Sequence, residues 1–201
     1  MTRSGFAAWR LLRDRRAVAA TEFAIILPVM LLLYLGGFQL MDAIATYRKV
    51  TSTVRALADL STQSEQVTPA EMTAILAGTR QIMAPYSITG STLSVVAIDF
   101  DNLGQPSVTW VCAQTVTASC GTSYPGLQVA NLKIPAGLRV PNSTLLYSAL
   151  SLPYVPIFSG AFMLPVTLSD KLFMSPRRSP SVCLNKGTPT APLCVGKGGV
   201  T

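Results

Sequence analysis

Hydrophobic and polar positions divide the chain into three patterns. From Phe23 to Met41 nineteen residues carry no formal charge, close to the roughly 20 that a helix needs to cross a bilayer core. Beyond Asp42 the apolar residues thin to Ile44, Tyr47, Val50, Val54 and Leu57, at spacings of three and four. Arg48, Lys49, Ser52, Arg55 and Asp59 take the other faces. That periodicity predicts that the helix continues past the apolar run with one apolar stripe, which some other element must cover. No proline interrupts residues 29–68, and Pro28 inside the apolar run removes one backbone donor and should kink or loosen the helix.

A second helix is predicted at Thr68-Pro69-Ala70-Glu71, with Thr as N-cap, Pro at the first helical position and Glu as capping-box partner. Met72, Ile75, Leu76, Ile82 and Met83 give it an apolar face, and Pro85 stops it. After Ile88 the chain changes to short runs rich in β-branched residues. Leu93–Phe100 and Val108–Ala113 flank DNLGQP, whose turn chemistry predicts a hairpin. Leu145–Leu152 and Val166–Met174 are two further strands, the second interrupted at Asp170 as an edge or bulged strand would be. The sum is α+β: a long N-terminal transmembrane helix extending into an exported domain with a short helix and an antiparallel sheet. Leu150–Leu168 is strongly apolar but too broken by proline for a second span. It reads either as a subunit-contact surface or as a loop folded on the sheet. Residues 175–201, rich in Pro, Gly, Ser and Lys, read as a loop in which Arg177 and Arg178 form a solvated patch.

Charge adds a direction. The formal net charge of the 201 residues is +7, and Arg3, Arg10, Arg13, Arg15 and Arg16 all precede the apolar run. The positive-inside tendency then puts the N-terminus in the cytoplasm and the C-terminal domain across the membrane. A nucleic-acid partner would need a basic face on a folded module, and residues 61–170 offer only Arg80, Lys133 and Arg139. Four cysteines, Cys112, Cys120, Cys183 and Cys194, lie beyond the apolar run, and an even count in an exported region reads as two disulfides. Three connectivities are open; local pairing of Cys112 with Cys120 and of Cys183 with Cys194 is the one expected. Their spacing, with no histidine in the chain, does not suit zinc, and no cofactor is implied.

Enzymatic chemistry has little to stand on. Catalysis needs a positioned acid, base, nucleophile or metal. Asp99 and Asp101 share a strand face but border a turn, where they are expected to be solvated. Asn142-Ser143-Thr144 matches the glycosylation acceptor pattern and is given no function.

The acid at the head of the apolar run, Glu22, carries the sharpest signal. RRAVAATEFAIILPVMLLL resembles the N-terminal signature of TadE-like pseudopilins of the tight-adherence (Flp-type) pilus systems. That signature is a basic leader, a small residue at a cut, an apolar tetrapeptide (Val18 to Thr21) and then Glu22-Phe23, with Pro28 where the family also tends to carry proline. YRKVTSTVRALADLSTQ and PAEMTAILAGTRQIMAPY are similar to the helix extension and short helix of the family, so the resemblance covers residues 10–86.

The resemblance implies a pilin-like layout: a cytoplasmic leader over 1–17, a long helix over 18–60 (membrane-spanning at about 23–41), and an exported domain over 61–201. It implies a minor pseudopilin of the bacterial inner membrane, cut by a prepilin peptidase between Ala17 and Val18. Its Glu22 would meet the free amine of a neighbouring pilin or pseudopilin subunit, and the product would serve pilus assembly and cell adhesion. Ala17 departs from the family pattern, which has glycine there. Three other readings stay open: an uncleaved bitopic envelope protein whose periplasmic domain binds a partner, a plain anchor with Glu22 at the headgroup level, and a signal peptide cut after Ala43-Ile44-Ala45. The last would have an apolar core longer than usual for its class.

Overall fold

The computed structural model describes residues 15–123, 132–157 and 164–185, with side chains from Val18 onward. Helix α1 spans Arg15–Thr62 and runs through Pro28 without interruption. Strand β1 (Gln66–Val67) leads to helix α2 (Pro69–Arg80), which tightens into a 3-10 turn over Gln81–Met83. Strands β2 (Thr92–Phe100), β3 (Pro106–Gln114), β4 (Ala118–Gly121), β5 (Thr144–Tyr154) and β6 (Val166–Met174) come next, then β7 (Cys183–Leu184). The five longer strands form one antiparallel sheet in the order β4-β3-β2-β5-β6, and β1 pairs in parallel with β7. The chain is therefore α+β, with a long apolar N-terminal helix.

By contacts the chain forms two compact units. One holds residues Met1–Ile44 with Pro156–Leu164, and the other holds Ala45–Val155 with Pro165–Thr201. The second contains the core. On one face of its sheet, Leu93, Val95 and Ala97 of β2, Trp110 and Cys112 of β3, and Leu146, Leu150 and Leu152 of β5 pack with Val50, Val54 and Leu57 of α1 and Met72 and Leu76 of α2. The period of two along each strand sets the alternate residues Val96, Ile98, Phe100, Val111 and Tyr147 on the other face, beside Leu132 and Ile134.

The buried stripe of α1 in this unit differs from the expected one. It comprises Thr46, Val50, Thr53, Val54, Leu57, Ala58, Ser61 and Thr62, while Tyr47 is exposed. Hydroxyls are admitted because they bond inside the helix: Thr53 donates to the Lys49 carbonyl (2.8 Å) and Ser61 to the Leu57 carbonyl (2.6 Å). A side chain that satisfies its own polar group can occupy a core position that hydropathy alone denies it.

Local rules set the remaining elements. The Thr68 backbone N–H donates to Glu71 Oε2 (2.8 Å), and the Glu71 N–H donates to Thr68 Oγ1 (3.2 Å), completing the capping box. Those bonds hold the Glu71 carboxyl below its usual pKa. In the β2–β3 turn, Asp101 Oδ1 accepts from the N–H of Leu103 (2.8 Å) and of Gln105 (2.7 Å), and Gly104 supplies a φ of +73°. Strand β6 is the sheet's edge beyond β5, half exposed along its length, in keeping with the break at Asp170.

Three features depart from expectation. β4 is an extra edge strand, paired so that Cys112 and Cys120 lie directly opposite each other and are disulfide-bonded. The C-terminal stretch is not all loop, because β7 docks on β1 and the Trp110 indole N–H donates to the Val182 carbonyl (2.8 Å). Arg177, expected in a solvated patch, is exposed but ion-paired with Asp59 at 2.8 Å. Cys183 is also disulfide-bonded, while its expected partner Cys194 lies outside the described residues.

Candidate functional site

Helical geometry sets the N-terminal part of α1. Val18 and Glu22, four residues apart, share one face, with Phe23 on the next. Val18, Glu22 and Phe23 are all exposed, and among the described residues Glu22 makes no ion pair. Ala17 falls within the helix, but its side chain is outside the described set. Thr21 Oγ1 donates to the Val18 carbonyl (2.8 Å), so this polar residue of the tetrapeptide is satisfied inside the helix.

From Phe23 to Tyr34 the helix is exposed on every side. Ile25, Ile26, Leu27, Val29, Met30, Leu31, Leu32, Leu33 and Tyr34 are all open to their surroundings. A soluble protein rarely leaves so large a contiguous apolar surface uncovered. The helix is long and apolar enough to cross a membrane, and it fits a single-pass membrane protein. Its surroundings can be lipid or other helices, and in either the lone acid at its head is the group whose charge needs an answer.

The second acidic site turns out differently from expectation. Asp99 and Asp101 are expected from their place beside a turn to be solvated, but Asp99 is only 9 % exposed. Its Oδ2 accepts from the Thr109 hydroxyl (2.5 Å), and its Oδ1 accepts from the Thr144 hydroxyl. Thr109 is the extra residue of a β-bulge, since Ala97 pairs with Trp110 and Ile98 with Val108. One carboxylate thus joins β3, β2 and β5 where the bulge interrupts the ladder.

A cleft of about 490 Å³ opens beside it, lined by Asp99, Asp101, Asn102, Ser107 and Asn142 among others. Thr144, the last residue of the glycosylation pattern, is buried with its hydroxyl committed to Asp99. No local motif signals this staple, because Thr109 and Thr144 meet Asp99 only through the register of three strands. Among the described residues no cluster of three or more metal-ligating side chains occurs.

Fold and helix together define a class: a protein with an α+β domain and, among the described residues, one membrane-compatible helix. The family model for TadE-like proteins matches residues 17–59, from the residue before Val18 to near the end of α1. This is a family of structural, pilus-associated proteins of the tight-adherence system, and the match spans 43 of the chain's 201 residues. The match is narrower than the 10–86 stretch over which the sequence resembles the family, and it includes none of the sheet. No curated protein and no solved structure matches the chain.

Proposed function

We propose that this chain is a minor pseudopilin of a tight-adherence pilus, held in the inner membrane by α1 until it primes or joins the fibre. The observation that carries the reading is the TadE-like match opening at residue 17, with Glu22 exposed at the head of an uncharged helical run. In this reading a prepilin peptidase removes residues 1–17 and leaves Val18 as the new N-terminus. Residues 18–60 form the assembly helix, and residues 61–201 form the domain on the periplasmic side, with the arginine-rich leader in the cytoplasm.

Glu22 then meets the liberated amine of a neighbouring subunit. A desolvated carboxylate is costly alone and tolerable when paired, and such a pair sets register between packed helices more than it adds stability. Phe23 and the aliphatic residues after it supply the helix-packing surface.

Mass spectrometry of the mature N-terminus tests this directly. A start at Val18, lost when the peptidase is absent, is the expected result. Glu22→Ala should insert and fold normally yet fail to assemble, and normal piliation in that variant would remove the pairing role. Ala17, at the position the family gives to glycine, favours one competing reading: an uncleaved bitopic protein whose periplasmic domain binds a partner. An intact N-terminus in cells selects it.

A further inference from the structure

The β3–β4 hairpin is fixed at its root and lightly held beyond it. Thr115, Val116 and Thr117 of the turn are exposed, and the Arg80 guanidinium donates to the Thr115 carbonyl (3.0 Å). β4 itself brings little to the sheet. It pairs with β3 over four residues, Ser119 is exposed, and Gly121 has no side chain. Ala118 and Cys120 are the two of its residues that pack on the core, and both are only half-buried. The covalent bond from Cys120 to Cys112, eight positions away, is therefore the firmest tie on this strand. By chain entropy alone, a cross-link closing so short a loop shifts the balance between open and closed forms roughly 50-fold.

The strand behind β4 differs in kind. β3 runs for nine residues, Pro106–Gln114, without a charged side chain, and Trp110, Val111, Cys112 and Ala113 are buried. β4 pairs only with Val111–Gln114; among the described residues no strand pairs with Pro106–Trp110 on that side. A long uncharged border strand is a template for pairing with another chain, and here a short strand blunts it.

We propose that Cys112–Cys120 is a redox latch on this border of the sheet: opened by a dithiol, it frees β4 and lengthens the unpaired edge of β3 from Pro106–Trp110 to the whole strand. Cys112 is fully buried and Cys120 half-buried, so the thiolate of the dithiol attacks the Cys120 sulfur, and the Cys112 thiolate leaves and takes up a proton. The second thiol of the reductant then displaces Cys120 and closes the reductant's own disulfide. Two electrons pass to the protein, and two thiols remain in it. Because Arg80 still holds the root of the hairpin, the opening is local and leaves the rest of the sheet in place.

Hydrogen exchange read by mass spectrometry tests this on the full chain in detergent, before and after dithiothreitol, with alkylation of Cys112 and Cys120 reporting whether the bond is cut. The expected result is that the bond is cut in the folded protein and that amides of β4 and the facing half of β3 lose protection roughly 50-fold, while β5 and the β2 amides bonded to it keep theirs. The double variant Cys112→Ala/Cys120→Ala should show the same loss without reductant. Dithiothreitol should then change nothing further at β4, which separates this bond from the disulfide of Cys183. A β4 equally protected in the oxidised and reduced protein overturns the proposal. So does a bond that resists dithiothreitol until the domain unfolds, and so does a loss of protection spread evenly over β2 and β5.

Discussion

Two stretches of the same helix meet opposite surroundings. Residues 18–34 of α1 expose every side chain, although most are large and apolar. Residues 45–62 carry fewer apolar residues yet bury Val50, Val54 and Leu57 completely against the sheet. Burial therefore depends on what is available to cover a face, more than on how apolar the face is. Among the described residues nothing covers the first stretch, whereas the sheet covers the second.

Substitutions break this contrast in graded steps. Trp110→Ala should cost the domain about 3–5 kcal/mol, since it opens a cavity at the centre of the core and removes the donor to the Val182 carbonyl. Calorimetry of the detergent-solubilised protein would show the loss as a lowered unfolding temperature. Leu57→Ala should cost about 2–5 kcal/mol by the same mechanism, whereas Leu31→Ala in the exposed stretch should leave domain unfolding unchanged. Equal effects in urea titrations followed by Trp110 fluorescence would erase the distinction between the two stretches.

Asp99→Ala should cost about 1–3 kcal/mol, because the buried hydroxyls of Thr109 and Thr144 lose their acceptor. Hydrogen exchange should locate the loosening at the bulge between β2 and β3. The smallest change is expected at the cap, where Thr68→Ala should cost about 1 kcal/mol.

That cap has a pH signature. The Thr68 backbone and hydroxyl bonds depress the Glu71 pKa in the folded protein, so its contribution is present above the ordinary carboxyl range and fades as pH falls through the depressed value. Glu71→Gln should flatten that part of the acid limb in a stability–pH profile. An unchanged profile would deny the cap its role.

Much of the fold was legible because local chemistry writes it. The Thr68–Glu71 box, the Asp101 turn with Gly104, and the break at Asp170 in an edge strand each sit within a few residues of the feature they specify. The hidden parts depend on distant pairing. β4 is four residues long and has no periodicity of its own; it exists because it lines up with Val111 to Gln114. The two-residue pairing of Gln66–Val67 with Cys183–Leu184 joins segments more than a hundred positions apart. Asp99 reads as a turn residue because the hydroxyls that its carboxylate accepts from belong to two other strands. The TadE-like segment around Glu22 was legible from resemblance, and the exposure of Glu22 is a property of three dimensions that the segment alone does not state.

The sheet's two borders bear on whether a foreign strand can add to it. One border strand, β4, is only four residues long and is bolted to its neighbour through Cys112–Cys120; the other, β6, sets Asp170 and Lys171 side by side in mid-strand. Brevity and charge are the devices by which natural sheets refuse a foreign strand. Neither border of the sheet therefore offers a long, uncharged edge to an added strand.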